Sequence, residues 1–252
     1  MADLEGLNAL VTGGGRGIGA AIAAALTRGG ARVTVLGRGE AALRARLEAG
    51  EAAAFAVADA SDSAGFEAAL ARIATQGPID ILVNNAGAAL SAPFLKTDAA
   101  DFRKMLDINL MAPMTATRAL LPAMTARGFG RIINIASTAG LKGYAYVSAY
   151  VAAKHALVGL TRSLAMELAK TGVTANAVCP GFTDTDMVAA AVEAIVRKTG
   201  RPEDAARAEL VKHNPMGRLI LPDEVARAVY FLASRDSGAI NGTALAIAGG
   251  EI

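Results

Sequence analysis

The chain predicts a doubly wound α/β fold, a parallel sheet covered by helices on both faces. Three observations carry this. Short β-rich apolar runs alternate with longer stretches of helical pattern from end to end, as βαβ construction requires. The runs are apolar throughout rather than every second residue, which marks strands buried on both faces. The first run opens directly onto a glycine-rich turn and a helix. A chain of 252 residues can bury a substantial core. No Pro/Ser-rich linker, charge block, low-complexity tract or solenoid-period repeat divides it, so residues 1–252 read as a single domain.

Taken in order, the strands fall at 7–12, 32–36, 53–57, 79–84, 130–136, 173–179 and 243–248, enough for one broad seven-stranded sheet. Helices are expected at 17–28, 40–49, 63–76, 98–126, 148–170 and 222–234, each filling the crossover that a parallel pair of strands needs. Between 182 and 215 the alternation lapses into a long, charged, partly helical stretch, read as a mobile lid over a site.

Composition excludes several classes. The formal charge of +2 comes from interspersed Lys and Arg, which gives no basic face for nucleic acid. A hydrophobic fraction of 53% reflects Ala-rich helices, and no run reaches the roughly 18 apolar residues of a membrane span. The start, Met1-Ala2-Asp3-Leu4-Glu5-Gly6, shows no secretory signal. Cys179 is the single cysteine, so no intramolecular disulfide forms, a reducing cytoplasm is the expected location, and the thiol reads as buried and structural. With two separated histidines and no clustered ligand spacing, no metal site is expected.

After the first strand comes Thr12-Gly13-Gly14-Gly15-Arg16-Gly17-Ile18-Gly19. Glycines here let the backbone approach a pyrophosphate, and the helix start offers free N–H groups and a positive dipole end. A strict G-x-G-x-x-G does not fit; Gly15, Gly17 and Ala20 satisfy its permissive form. The second strand ends in Gly37-Arg38, with no carboxylate to hold a ribose 2′-hydroxyl. Arg38, with Arg16 as a second positive charge, therefore favours NADP, with NAD still possible; either arginine also reads as a solvated surface residue. Asp59, just past the third strand, is a candidate for the adenine amino group or for an N-cap partner ahead of Ser61 to Ser63.

A strand-end serine, Ser137, precedes Tyr150-Val151-Ala152-Ala153-Lys154. Spacing i, i+4 on a helix puts Tyr150 and Lys154 on one face, about 5–6 Å apart at Cβ. Tyrosine loses its proton near pH ~10, so acid–base work near neutrality needs a cation beside it. His155 turns about 100° away from that face, and both it and His213 read as packing or subunit-contact residues.

Together, Thr12-Gly13-x-x-x-Gly17-x-Gly19, Asn84-Asn85-Ala86-Gly87, Asn109, Ser137, Tyr150-x-x-x-Lys154 and Pro180-Gly181, in this order, resemble the short-chain dehydrogenase/reductase family from about residue 7 to about residue 250. The resemblance implies a Rossmann-type fold with strand order 3-2-1-4-5-6-7, usually a homotetramer whose dimer faces are the helices at 98–126 and 148–170. It implies that Tyr150 is the general acid in reduction, that Lys154 lowers its pKa and holds the nicotinamide ribose, and that Ser137 orients the substrate oxygen. Asn109 matches the residue that holds a relay water, though a helix kink before Pro113 explains it equally. Asn85, Ala86 and Gly87 match the turn along the adenosine ribose; Pro180, Gly181, Phe182, Thr183 and Thr185 match the nicotinamide segment. With Ser137, Tyr150 and Lys154 all present, a non-catalytic nucleotide-sensing scaffold is disfavoured.

Within that family, Asn214-Pro215-Met216-Gly217-Arg218-Leu219, Pro222-Asp223-Glu224-Val225 and Gly242-Thr243-x-Leu245-x-Ile247-x-Gly249-Gly250 resemble 3-oxoacyl thioester reductases and 3-hydroxyacyl dehydrogenases. Tyr146, Val147, Ser148 and Ala149 offer no positive charge for a free carboxylate. Leu141, Tyr144, Tyr146, Val147, Phe182 and Met187 are candidates for an apolar pocket or for core. Arg197, Lys198, Arg201 and Lys212 are candidates for a coenzyme A or carrier-protein contact, or for a solvated face. The expected reaction interconverts a ketone and a secondary alcohol on a 3-oxoacyl thioester, the alternative substrate being a bulky or aromatic secondary alcohol.

Overall fold

The structure is a computed structural model that describes residues 3–252. Met1 and Ala2, which opened the N-terminal reading, lie outside the described residues. Seven parallel strands form one sheet: β1 (Asn8–Thr12), β2 (Arg32–Gly37), β3 (Ala54–Val57), β4 (Ile81–Asn84), β5 (Gly130–Ile135), β6 (Val173–Pro180) and β7 (Ala244–Ile247). Their order is β3-β2-β1-β4-β5-β6-β7, as the resemblance implied. The order reverses between β1 and β4, which pair Ala9 with Ile81 and Val11 with Val83. Doubly wound sheets bind ligands at that crevice.

Alternation along the strands explains their unbroken apolar sequence. Ala9, Val11, Ile81, Val83 and Ile133 pack into one buried cluster, together with Ile22 and Leu26 of α1 (Gly17–Arg28) and Val229 of α9 (Pro222–Ala233). Leu10, Leu82 and Ile132, one residue out of step, join the opposite cluster with Phe66 and Leu70 of α3 (Ser63–Thr75) and Leu120 of α5 (Ala112–Arg127). Successive side chains of a strand point to opposite faces, so both must be apolar when both faces are covered. The edge strands β3 and β7 are only partly covered. Helix α2 (Glu40–Glu48) packs along β2 and β3, and α6 (Ser148–Leu168) along β6.

One stretch departs from expectation. The helix expected over 98–126 is split into α4 (Ala99–Leu106), a π turn at Asp107–Met111, and α5. Asp98 starts α4 by accepting from Ala100 N (2.8 Å) and Asp101 N (2.9 Å). Pro113 has no N–H to give the Asn109 carbonyl in an α ladder, and the wider π turn takes up the mismatch. The stretch 182–215 holds two helices, α7 (Asp186–Thr199) and α8 (Glu203–Val211). Val188, Val192, Ala206, Leu210 and Leu219 give it a small apolar cluster of its own. Among the described residues, no helix is long and apolar enough to cross a membrane.

Candidate active site

The site begins where β1 and β4 end side by side. Thr12 Oγ1 accepts from the main-chain N of Asn85 and of Ala86, both at 3.0 Å. Asn85 Nδ2 returns bonds to the carbonyls of Thr12 (3.0 Å) and Gly13 (3.1 Å), so the glycine turn and the Asn85 turn are sewn together. Gly13 has φ +65°, left-handed backbone that glycine adopts without strain. A Cβ on Gly19 would lie 2.2 Å from the Gly13 carbonyl oxygen, and one on Gly14 2.6 Å from Val35 Cγ1. Packing, rather than looseness, demands these glycines. A Cβ on Gly15 would meet Ala42 Cβ closely, at 3.3 Å, Gly17 lies against the Thr185 side chain, and Ile18 packs on the core cluster beneath α1.

Helix α1 starts after Arg16 with no side-chain cap and no acidic residue in its first turn. Its leading N–H groups are thus left for an incoming acceptor, and the dipole end favours an anion. This cradle fits a dinucleotide pyrophosphate. Arg38, at the tip of β2, lies 3.8 Å from Asp59, and Arg16 lies 3.6 Å from Asp186 at the start of α7; all four side chains are substantially exposed. Asp59 Oδ1 accepts from Ser61 N (2.9 Å) and Ser61 Oγ (2.7 Å), and the main-chain bond chiefly holds its carboxyl below the usual range. The cap of α3 is Asp62, which accepts from Gly65 N.

Ser137 follows β5 and opens the short turn Thr138–Gly140, its Oγ accepting from Ala139 N at 3.1 Å. Tyr150 and Lys154 occupy the first two turns of α6. Lys154 is almost wholly buried; its Nζ donates to Ile135 O at 2.9 Å and lies 5.7 Å from the Tyr150 ring centroid. Burial pulls Lys154 down from 10.5 to about 8, while the neighbouring Cys179 acts the other way. Burial pushes Tyr150 above its ordinary value, and a hydrogen bond with Ser137 opposes that push. The direction is opposite to the lowering that the resemblance implied for Tyr150. Lys154 spends its hydrogen bond on the Ile135 carbonyl, and desolvation dominates the phenol. Cys179 is itself buried, its thiol pushed up to about 11, which fits the structural reading.

Gly87 sits between Asn109 and Lys154: its Cβ would come 2.8 Å from Asn109 Oδ1 and 3.6 Å from Lys154 Nζ. The fully buried Asn109 side chain donates to Ala88 O (2.9 Å) and Met105 O (3.0 Å) and accepts from Ala88 N (3.4 Å). It pins the turn after Asn85, Ala86 and Gly87 to the π turn. Pro180 ends β6, and Gly181 N donates to Ile247 O at 3.0 Å. Thr183 Oγ1 bonds the Gly181 carbonyl, Thr185 Oγ1 bonds the Thr183 carbonyl, and Thr183 bridges to Ile220.

Phe182 belongs to an aromatic trio over this end of the sheet. It stacks on His213 (centroids 5.8 Å apart), and Tyr144 meets both edge-on at 6.2 and 6.0 Å. Sequence reasoning gave His213 a packing role but not its place beside the site. Thr12, Lys142 and Glu251 were missed as well. Thr12 stood in the quoted motif; Glu251 gave no local signal. The Tyr144 hydroxyl lies 2.7 Å from Thr138 Oγ1 and bonds Glu251 Oε1, which also pairs with Lys142 Nζ at 3.1 Å. Burial raises Tyr144 well above a normal phenol. Of the other pocket candidates, Leu141 packs with Ala136, Leu157 and Cys179 as core, whereas Tyr146 and Met187 are exposed. The cations at 201–212 are paired on the surface, Arg201 and Lys212 with Glu209 and Arg207 with Asp184, as a solvated face would be. His155 is exposed and bonds Val151 O.

A family model described as short chain dehydrogenase matches residues 7–195. The chain belongs to the short-chain dehydrogenase family. This dehydrogenase is 40% identical to an acetoacetyl-CoA reductase of Rhizobium meliloti (strain 1021) over 244 residues, covering 96% of this chain and 97% of that one. It is 42% identical to a D-beta-hydroxybutyrate dehydrogenase of Cupriavidus necator over 256 residues, 99% of each. Among solved structures, actinorhodin polyketide ketoreductase with NADPH superposes at a TM-score of 0.92 with 36% identity, covering 100% of this chain and 98% of that one. The short-chain dehydrogenase described here is an NAD(P)-dependent oxidoreductase.

Proposed function

We propose that the protein reduces a ketone to a secondary alcohol, and runs the reverse, with Tyr150 as proton donor and a 3-oxoacyl thioester as substrate. The observation that carries this reading is the meeting, at the end of β5, of Ser137, Gly87 and the partly buried Tyr150 with Lys154, whose Nζ lies 5.7 Å from the Tyr150 ring centroid, the phenol being pushed up by desolvation. A reduced nicotinamide held there would supply the hydride for the carbonyl carbon. As charge develops on the carbonyl oxygen, Tyr150 delivers its phenolic proton there and Ser137 Oγ orients that oxygen. Lys154, 5.7 Å from the ring centroid, then stabilises the phenolate. Oxidation needs that phenolate first. Bringing a phenol from about 10 to about 7 takes roughly 4 kcal/mol, to be shared between Lys154 and a cationic nicotinamide ring. Asn109 contributes by anchoring the Gly87 turn.

The cradle of Gly13, Gly15, Gly17, Ile18 and Gly19 would hold the pyrophosphate, Asn85 to Gly87 the adenosine ribose, Asp59 the adenine, and Pro180 to Thr185 the nicotinamide. Arg16 and Arg38 support NADP, because a 2′-phosphate would outcompete the exposed, loosely paired Asp186 and Asp59. The relative named acetoacetyl-CoA reductase supports the thioester. The Tyr144, Phe182 and His213 trio favours the alternative, a bulky or aromatic secondary alcohol. Helices α7 and α8, with their separate cluster, would be the moving lid of a single domain. The apolar groove of Met114, Leu121, Leu160 and Leu164 between α5 and α6 supports a subunit contact, with a homotetramer as the family expectation. The lone buried Cys179 suits the cytoplasm.

A panel of acetoacetyl-coenzyme A and aryl ketones, each offered with NADPH and NADH, tests the reading. Turnover of the thioester with NADPH preferred is expected. Turnover of aryl ketones with none of the thioester would replace it with the alternative.

A further inference from the structure

A buried carboxylate beside the reaction site has no part in the proton chemistry. The Glu251 side chain is only 2% exposed. Its Oε1 takes the Tyr144 hydroxyl and Lys142 Nζ, and Lys142 reaches the Glu251 main-chain oxygen as well, at 3.2 Å. Its Oε2 is buried with no partner and would meet a Cβ on Gly181 at 3.1 Å. Tyr144 in turn touches Thr138, the residue after Ser137. The carboxylate thus lies one side chain away from where a substrate carbonyl would be oriented. Gly249 and Gly250, at φ +61° and +91°, and the packing of Gly249 on Asn214 fix it there.

The charge balance decides what this does. Lys142 lies 5.1 Å from the Tyr144 ring centroid, but its charge is committed to Glu251. The carboxylate of a free 3-oxo acid sits two bonds from the keto carbon and would arrive beside Glu251, where Lys142, the cation paired with that carboxylate, is already taken. Like charges brought together out of water repel strongly, and negative elements of this kind discriminate between substrates. A neutral ester or thioester meets no such repulsion. We propose that Glu251 sets charge selectivity: by holding Lys142 and keeping its own carboxylate beneath Tyr144, it admits neutral 3-oxoacyl esters and thioesters and turns away the free acid. This rests on the 3-oxoacyl reading above.

The test compares acetoacetate with methyl acetoacetate, using NADPH and the full chain. For the wild type, kcat/KM for the ester should exceed that for the acid by at least about 30-fold. In Glu251→Gln the acid-to-ester ratio should rise about tenfold or more, mainly through KM for the acid, as Lys142 is released. Adding Lys142→Met to that variant should return the ratio. Lys142→Met alone leaves Glu251 unpaired and should lower the ratio at least about threefold, so a misfolded Glu251→Gln does not end the test. A wild type that takes acid and ester within about threefold of each other overturns the proposal, as does an unchanged ratio in either folded single variant. A wild type that reduces neither the ester nor acetoacetyl-coenzyme A overturns the 3-oxoacyl reading itself.

Discussion

Lys154 is a charge buried at a cost, and the cost has a sign that can be measured. In the folded protein its pKa falls to about 8, against an ordinary 10.5 in the unfolded chain. Below about pH 8 both states hold the proton, and the full penalty of burying the ammonium is present. Between about 8 and 10.5 the unfolded chain binds a proton that the folded chain has released, so stability from this group rises with pH until the penalty is gone. Lys154→Met, which keeps the bulk without the charge, should therefore stabilise the fold at pH 7 relative to wild type. That gain should shrink steadily toward pH 10 in urea titrations. A difference that stays constant with pH would mean that the ammonium is not desolvated in this way. Tyr150 needs no such neighbour to remain an acid, because burial already favours the neutral phenol.

At the level of elements, the glycine turn and α1 act as one rigid cradle held by Asn85. Gly19→Ala would drive its methyl group to within 2.2 Å of the Gly13 carbonyl, a backbone atom with no room to move because Asn85 Nδ2 binds it. The variant should keep the sheet, by circular dichroism, and lose at least about tenfold in affinity for NADPH by fluorescence titration. Gly15→Ala, whose methyl would meet Ala42 Cβ at 3.3 Å and needs only a few tenths of an ångström of give, should lose clearly less affinity than Gly19→Ala. Equal binding by both variants would mean that the cradle yields. A second rigid device crosses the sheet below the reaction site. Asn84 Nδ2 bonds Asn134 Oδ1 and Asn134 Nδ2 bonds Thr161 Oγ1, each at 2.8 Å, locking β4, β5 and α6 in register beneath Ser137 and Tyr150. Asn84 Oδ1 is left buried without a partner, yet the bonds made by the two amides join β4, β5 and α6 and make the network a positioning element.

For the whole molecule, what could be read from sequence was what depends on local spacing. The strand runs, the glycine turn and Tyr150-x-x-x-Lys154 each carry their geometry in a few consecutive residues, whereas strand order and the joint roles of Ser137, Tyr150 and Lys154 came from the family resemblance those motifs carry. The π turn at Asp107–Met111 did not, because a proline two residues into α5 reads equally as a kink or a helix start. Glu251 was invisible for a different reason: it meets Tyr144 from 107 positions away, through two left-handed glycines and a contact with Asn214 that only the assembled fold creates. The fall in Lys154 and the rise in Tyr150 are likewise products of burial rather than spacing. The central claim is that a partly buried, protonated Tyr150 hands its proton to a ketone as hydride arrives. The measurement that tests it most directly is NADPH-dependent formation of the 3-hydroxyacyl product from acetoacetyl-coenzyme A by wild type and Tyr150→Phe, with NADPH binding measured alongside. The expected result is full binding in both and nearly complete loss of product in the variant; more than about a tenth of the wild-type rate in Tyr150→Phe would contradict it.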